Sequence, residues 1–148
     1  MGVRYAVATD MIPAGLATYS FATDGGLVQG EPVPESAFGG ATCTSAGCTC
    51  KATCPALDEN LVVFNNIVAR MQLFMPEIGA ENVQVDYDYS GLGYAGDPNG
   101  PDVAPLVTVS LTDLSFQPLT LIAFQRTIIL PDFRSALTLE DGDGSFAN

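Results

Sequence analysis

The sequence predicts an α+β domain, with an N-terminal helix and a second helix packed on a small antiparallel sheet of about three to four strands. Three observations predict it. Apolar residues recur at the helical period through residues 55–76. From residue 82 the period drops to two, which marks strands. Helices and strands do not alternate along the chain, so a parallel sheet built from crossover units is not expected.

The first element is read from GVRYAVATDMIPAGL, where Val3, Val7 and Met11 form a helical stripe that Pro13 and Gly15 end. Residues 24–42 are rich in glycine, proline and acids and read as loop. The second helix is the clearest, CPALDENLVVFNNIVARMQLFMP. Thr53 can cap it, Pro55 suits its first turn, and Asp58 and Glu59 suit the positive end of its dipole. Leu57, Leu61, Phe64, Ile67, Val68, Met71 and Met75 share one face, and Pro76 stops the helix.

In the strand that follows, Val83, Val85, Tyr87 and Tyr89 alternate with Gln84, Asp86 and Asp88, whose face is expected to be solvated. The segment GLGYAGDPNGPDVAP is a long turn. LVTVSLTDLSF resumes the alternation through Val107, Val109 and Leu111; the parity then flips to Leu114 and Phe116, which predicts a bulge near Asp113. LTLIAFQRTIIL is apolar and fits either class. SALTLE reads as a closing strand with Leu137 and Leu139 inward. The domain so drawn spans residues 1–140, with 24–56 as a disulfide-containing loop and 141–148 as a flexible tail.

Four cysteines lie within CTSAGCTCKATC, and the chain has no other cysteine and no histidine. Structural zinc sites favour two CxxC-like pairs, and redox sites favour CxxC; neither spacing occurs. Two local disulfides are the better reading of Cys43, Cys48, Cys50 and Cys54. Bridging the near neighbours Cys48 and Cys50 would strain the chain. Two pairings stay open: Cys43–Cys48 with Cys50–Cys54, or Cys43–Cys50 with Cys48–Cys54. Disulfides imply an oxidising compartment. With no signal peptide at the start, the expectation is a piece whose membrane-targeting segment has been removed.

Composition excludes several classes. The net charge of −12, with seven acids and no base between Arg70 and Arg126, repels phosphate backbones and argues against nucleic-acid binding. The chain is 47% hydrophobic and only 15% charged, which predicts a folded core and apolar surface held for a partner. Without histidine, Ser–His and Cys–His nucleophiles are excluded. No glycine-rich phosphate loop occurs and no cofactor is expected. The only oxygen clusters that could suggest calcium are Asp97, Asn99 and Asp102, and Glu140, Asp141 and Asp143; neither follows the EF-hand spacing. Tyr87 and Tyr89 read as core, and Tyr94, in the turn, as a contact residue.

Several segments resemble the TadE-like family, pilin-like membrane proteins of the tight-adherence (Tad) pilus. They are RYAVATDMIPAGL (4–16), NNIVARMQLFMP (65–76), ENVQVDYDYSG (81–91), PLVTVSLTDLSF (105–116) and SALTLED (135–141). The resemblance implies a pilin-like domain on a single-pass N-terminal membrane helix. It would sit at the bacterial inner membrane facing the periplasm, or in an extracellular pilus, and be partnered by other pilus or pilus-assembly subunits. On that reading the protein is not an enzyme, and Tyr5, Val7, Met11 and Tyr94 pack against neighbouring subunits. The alternative is an exported module that holds calcium or a glycan on the acidic 90–105 turn.

Overall fold

The computed structural model describes residues 11–55, 58–116 and 128–138. Its organisation is mostly β, which corrects the expected pair of helices on a small sheet. Among the described residues there are nine strands in three sheets and a single α-helix. In chain order these are β1 (Pro13–Ala14), β2 (Ala41–Thr44), β3 (Gly47–Cys50), β4 (Asp58–Glu59), α1 (Leu61–Gln72), β5 (Val83–Asp88), β6 (Leu106–Leu111), β7 (Ser115–Phe116), β8 (Ile128–Ile129) and β9 (Phe133–Thr138). A turn of 3₁₀ helix, Ala80–Asn82, leads into β5.

The main sheet is antiparallel with the order β3-β2-β5-β6-β9. Its two extra strands come from the cysteine segment. ATCT and GCTC are two short alternating runs joined by two residues, so they close as a hairpin instead of a loop. Gly47, at φ 130°, accepts the conformation that returns the chain, and a side chain there would meet the Glu59 carboxylate.

Most of the expected first helix falls on residues 1–10, which lie outside those described, and from Met11 to Gly15 the chain is not helical. Pro13 and Ala14 instead pair with Glu59 and Asp58, and the Ile12 carbonyl accepts a hydrogen bond from the Asn60 amide at 2.8 Å. This pairing also shortens the second helix. Its cap is Asn60, whose side chain accepts from the Val63 amide, and not Thr53. Cys54 is tied to Cys50 on the sheet and Asp58–Glu59 are in a strand, so neither stretch is free to coil.

The core lies between α1 and one face of the sheet. Val63, Phe64, Ile67 and Val68 of the helix share it with Cys43, Val83, Val85, Tyr87, Val107 and Val109. Met11, Ile12, Leu16, Phe21 and Phe38 close it from the N-terminal side. Tyr87 is fully buried, and its hydroxyl oxygen accepts a hydrogen bond from the Ile12 amide at 3.1 Å. Burial pushes the Tyr87 phenol up to about 12, against the opposing effect of that amide. Tyr89 is half-buried and donates to the Val33 carbonyl at 3.0 Å.

The β7–β8 pair is the continuation of the β6–β9 ladder. Leu111 pairs with Phe133, the Leu130 amide donates to the Leu114 carbonyl, and Ser115 pairs with Ile129. No residue is inserted, so the expected bulge is absent. Leu114 nevertheless turns into the core, because Asp113 sits at φ 54°, whereas Phe116, expected on the same inward face, is exposed. The Asn82 amide group donates to the Thr112 and Asp113 carbonyls and holds this kink.

Tyr87→Phe should lower stability by about 1–3 kcal/mol, because it leaves the buried Ile12 amide without an acceptor. Urea unfolding with an unchanged m-value checks this; a loss within error would show that water serves that amide. In an alkaline titration followed by phenolate absorbance, one tyrosine should ionise near 12, and the variant should lack that step. The raised value means that the Tyr87 contribution is complete below the ordinary 10 and is lost as pH climbs through about 12.

Candidate functional site

Two places on the domain gather chemistry: a stapled polar corner of the sheet, and an apolar ribbon on the opposite side of it. The corner begins with the disulfides. Cys43 pairs with Cys48 across the hairpin, their Cα atoms 4.0 Å apart, and Cys50 pairs with Cys54 at 5.8 Å. This is the uncrossed of the two arrangements. Cys43 is buried in the core, whereas Cys50 is exposed.

Lys51 follows Cys50 directly, inside the second disulfide loop. Its amide donates to the Gly40 carbonyl at 2.9 Å, and its ammonium reaches Asp86 at 2.9 Å and Asp88 at 2.6 Å. Asp86 also accepts from Thr42 Oγ1 at 2.7 Å and Gln84 Nε2 at 2.8 Å. The Asp86 face is therefore not the freely solvated surface that alternation suggests, since Asp86 is itself buried. Burial alone would raise the Asp86 pKa. The hydrogen bonds from Lys51, Gln84 and Thr42, with the ammonium charge, outweigh burial and hold it below the ordinary carboxylate value. For Lys51, partial burial opposes the charge; the bonds to Asp88 and Asp86 prevail and the pKa is raised. A carboxylate kept ionised in this way is a poor proton donor, so the corner reads as a clamp and not as an acid–base pair.

The 90–105 turn is organised by Asp102. Its buried carboxylate accepts from the amides of Phe21 at 2.6 Å, Gly96 at 2.8 Å and Asp97 at 3.0 Å. Asp97 in turn accepts from the Asn99 amide at 2.8 Å. These oxygens serve their own backbone, beside a cavity of about 350 Å³ that Tyr19, Ser20, Gln29 and Asp97 help to line. Among the described residues no group of three histidine, cysteine or acidic side chains could hold a metal ion. Glu140, Asp141 and Asp143 lie outside those residues.

Of the expected packing residues, Tyr94 is 56% exposed on the turn, bridged to Pro32. Met11 is 4% exposed and belongs to the domain's own core, so it is not offered to a neighbour. Tyr5 and Val7 lie outside the described residues. The exposed apolar surface is elsewhere. Phe116, Ile128, Ile129 and Phe133 stand on the kinked ribbon, with Ile129 80% exposed and Phe133 49% exposed. Val62, Leu73 and Phe74 add exposed apolar side chains on α1 and just past its end. The sequence signal for this surface was the apolar run at 119–130, which alternation could not classify.

No family model, no curated protein and no solved structure matches this chain. No helix among the described residues is long and apolar enough to cross a membrane.

Two outcomes follow from the corner. Mild reduction by a dithiol should open Cys50–Cys54 before Cys43–Cys48, read by alkylation and peptide mass spectrometry, with a stability loss of roughly 2 kcal/mol for so short a loop. Simultaneous labelling of all four cysteines would contradict that order. The Asp86 contribution is complete above its ordinary 3.8 and is lost as pH falls through its lower folded value. The stability gap between wild type and Asp86→Asn should therefore be level at neutral pH and close below about pH 4.

Proposed function

We propose that this protein is a non-enzymatic packing component of an assembly outside the cytoplasm, and that its specific form is a subunit of a Tad-type pilus or of its assembly machinery. One observation carries the reading. The β7–β8 ribbon and the first residue of β9 present Phe116, Ile128, Ile129 and Phe133 to solvent, apart from the buried core. Exposed apolar side chains grouped on one element mark a surface that another protein covers. The disulfide pairs support an oxidising location, periplasmic or extracellular. The TadE-like resemblance supplies the kind of assembly. In this reading the packing surface is the ribbon, in place of the N-terminal helix that the sequence suggests.

Ile129→Glu tests it. Surface changes of this kind leave stability within about 0.5 kcal/mol, so the melting temperature should hold. In cross-linked cells the wild-type chain should appear in the envelope fraction in species larger than the monomer, and the variant should lose them. Recovery of the chain with four titratable thiols, or a cross-linking pattern that Ile129→Glu leaves unchanged, overturns the proposal.

A further inference from the structure

The outer strand of the ribbon has a charge pattern that selects its partner. Among the described residues β9 is the terminal strand of the main sheet, with β6 on one side only. Side chains on both of its faces are exposed from Phe133 to Ala136, so neither face of that stretch is packed under another element. Phe133 is flanked by two charges of opposite sign, Asp132 and Arg134, both exposed. Arg134 is the only cation on this strand, in a chain of net charge −12.

We infer that this strand pairs with the same strand of a second copy, antiparallel about a two-fold axis through Phe133. In that register Phe133 lies opposite Phe133 of the second copy. Asp132 lies opposite Arg134 of the second copy, and the symmetry repeats the pair in the other direction. Ile129 falls opposite Leu137. An isologous contact needs a surface complementary to itself, and a stretch that reads acid–aromatic–base about Phe133, the first residue of β9, is complementary only in this alignment. Opposite charges facing one another across strands stabilise a pair, and like charges destabilise it. Shifting the register by two residues would set Arg134 opposite Arg134 in one direction and Asp132 opposite Asp132 in the other, so that like charges would face one another. Main-chain hydrogen bonds along the edge would supply affinity, and the charges the alignment.

The inference rests on the packing role proposed above and names its partner. Its test is a charge exchange between two variants of the full chain, Asp132→Arg and Arg134→Asp, followed by sedimentation velocity from micromolar to millimolar concentration. The wild type should dimerise. Each variant alone should self-associate at least about tenfold more weakly, because both cross-strand pairs become like-charged. An equimolar mixture of the two should recover dimers, since each pair is then opposite in sign again. Dimerisation should tighten from low salt to physiological salt, where screening beyond about 8 Å relieves the repulsion between two acidic chains. Circular dichroism and melting temperature report whether each variant folds. Should either fail, air oxidation of Phe133→Cys must give a covalent dimer that Ala136→Cys does not give. A wild type that stays monomeric throughout, or a mixture that fails to recover dimers, overturns the self-pairing. If envelope species sensitive to Ile129→Glu persist in that event, the packing role stands and the partner is a different chain.

Discussion

Strand β5 is buried along one face and, at Asp86, on the other as well, and the rest of the molecule is arranged around that constraint. Tyr87 points into the core and Asp86 points the other way, and both are polar groups removed from water. Each needs a partner brought from elsewhere in the chain. Tyr87 receives the Ile12 amide, which places the N-terminal segment against the sheet and lets Pro13–Ala14 pair with Asp58–Glu59. Asp86 receives Lys51 and Thr42, which fixes the cysteine hairpin beside β5. Two neighbouring residues on one strand thus recruit the two segments that local sequence alone would leave as helix and loop.

That geometry explains the division of labour over the surface. The Lys51 corner has the densest array of charges and hydrogen bonds, yet its contacts are satisfied internally. Asp102 behaves in the same way, with both oxygens engaged by backbone amides of its own turn and of Phe21. The ribbon is the converse case. Asn82 and the buried Leu114 hold its base firmly, while Phe116, Ile128 and Ile129 further along it are exposed. A rigid root with an uncovered apolar end suits contact with another surface better than it suits chemistry.

The strands with a clean two-residue period were legible in the sequence: Val83, Val85 and Tyr87, and Val107 and Val109, are core residues in an antiparallel pair. Phe64, Ile67 and Val68 face the core as their helical spacing suggests, although Leu61 is exposed and Val63 takes an inward place. What could not be read locally was set by long-range contacts. The cysteine hairpin looked like loop because its residues are small and polar, and its strand character comes from pairing with β5, more than forty positions away in the register Thr42↔Asp86. The helical stripe ending at Met11 met Pro13, and the chain there paired with residues 58–59. The apolar segment near residue 120 could not announce a ribbon, because a ribbon is defined by the register shared by the strands on either side of it.

The two margins of the main sheet are treated differently. On the β3 side the Cys48 amide donates to the Glu59 carboxylate at 2.8 Å, so an acidic side chain stands where a foreign strand would have to bind. Such a block makes growth one-sided. Molecules able to join along a single border can close into a finite pair but cannot propagate a stack, which separates ordered union from runaway fibre formation.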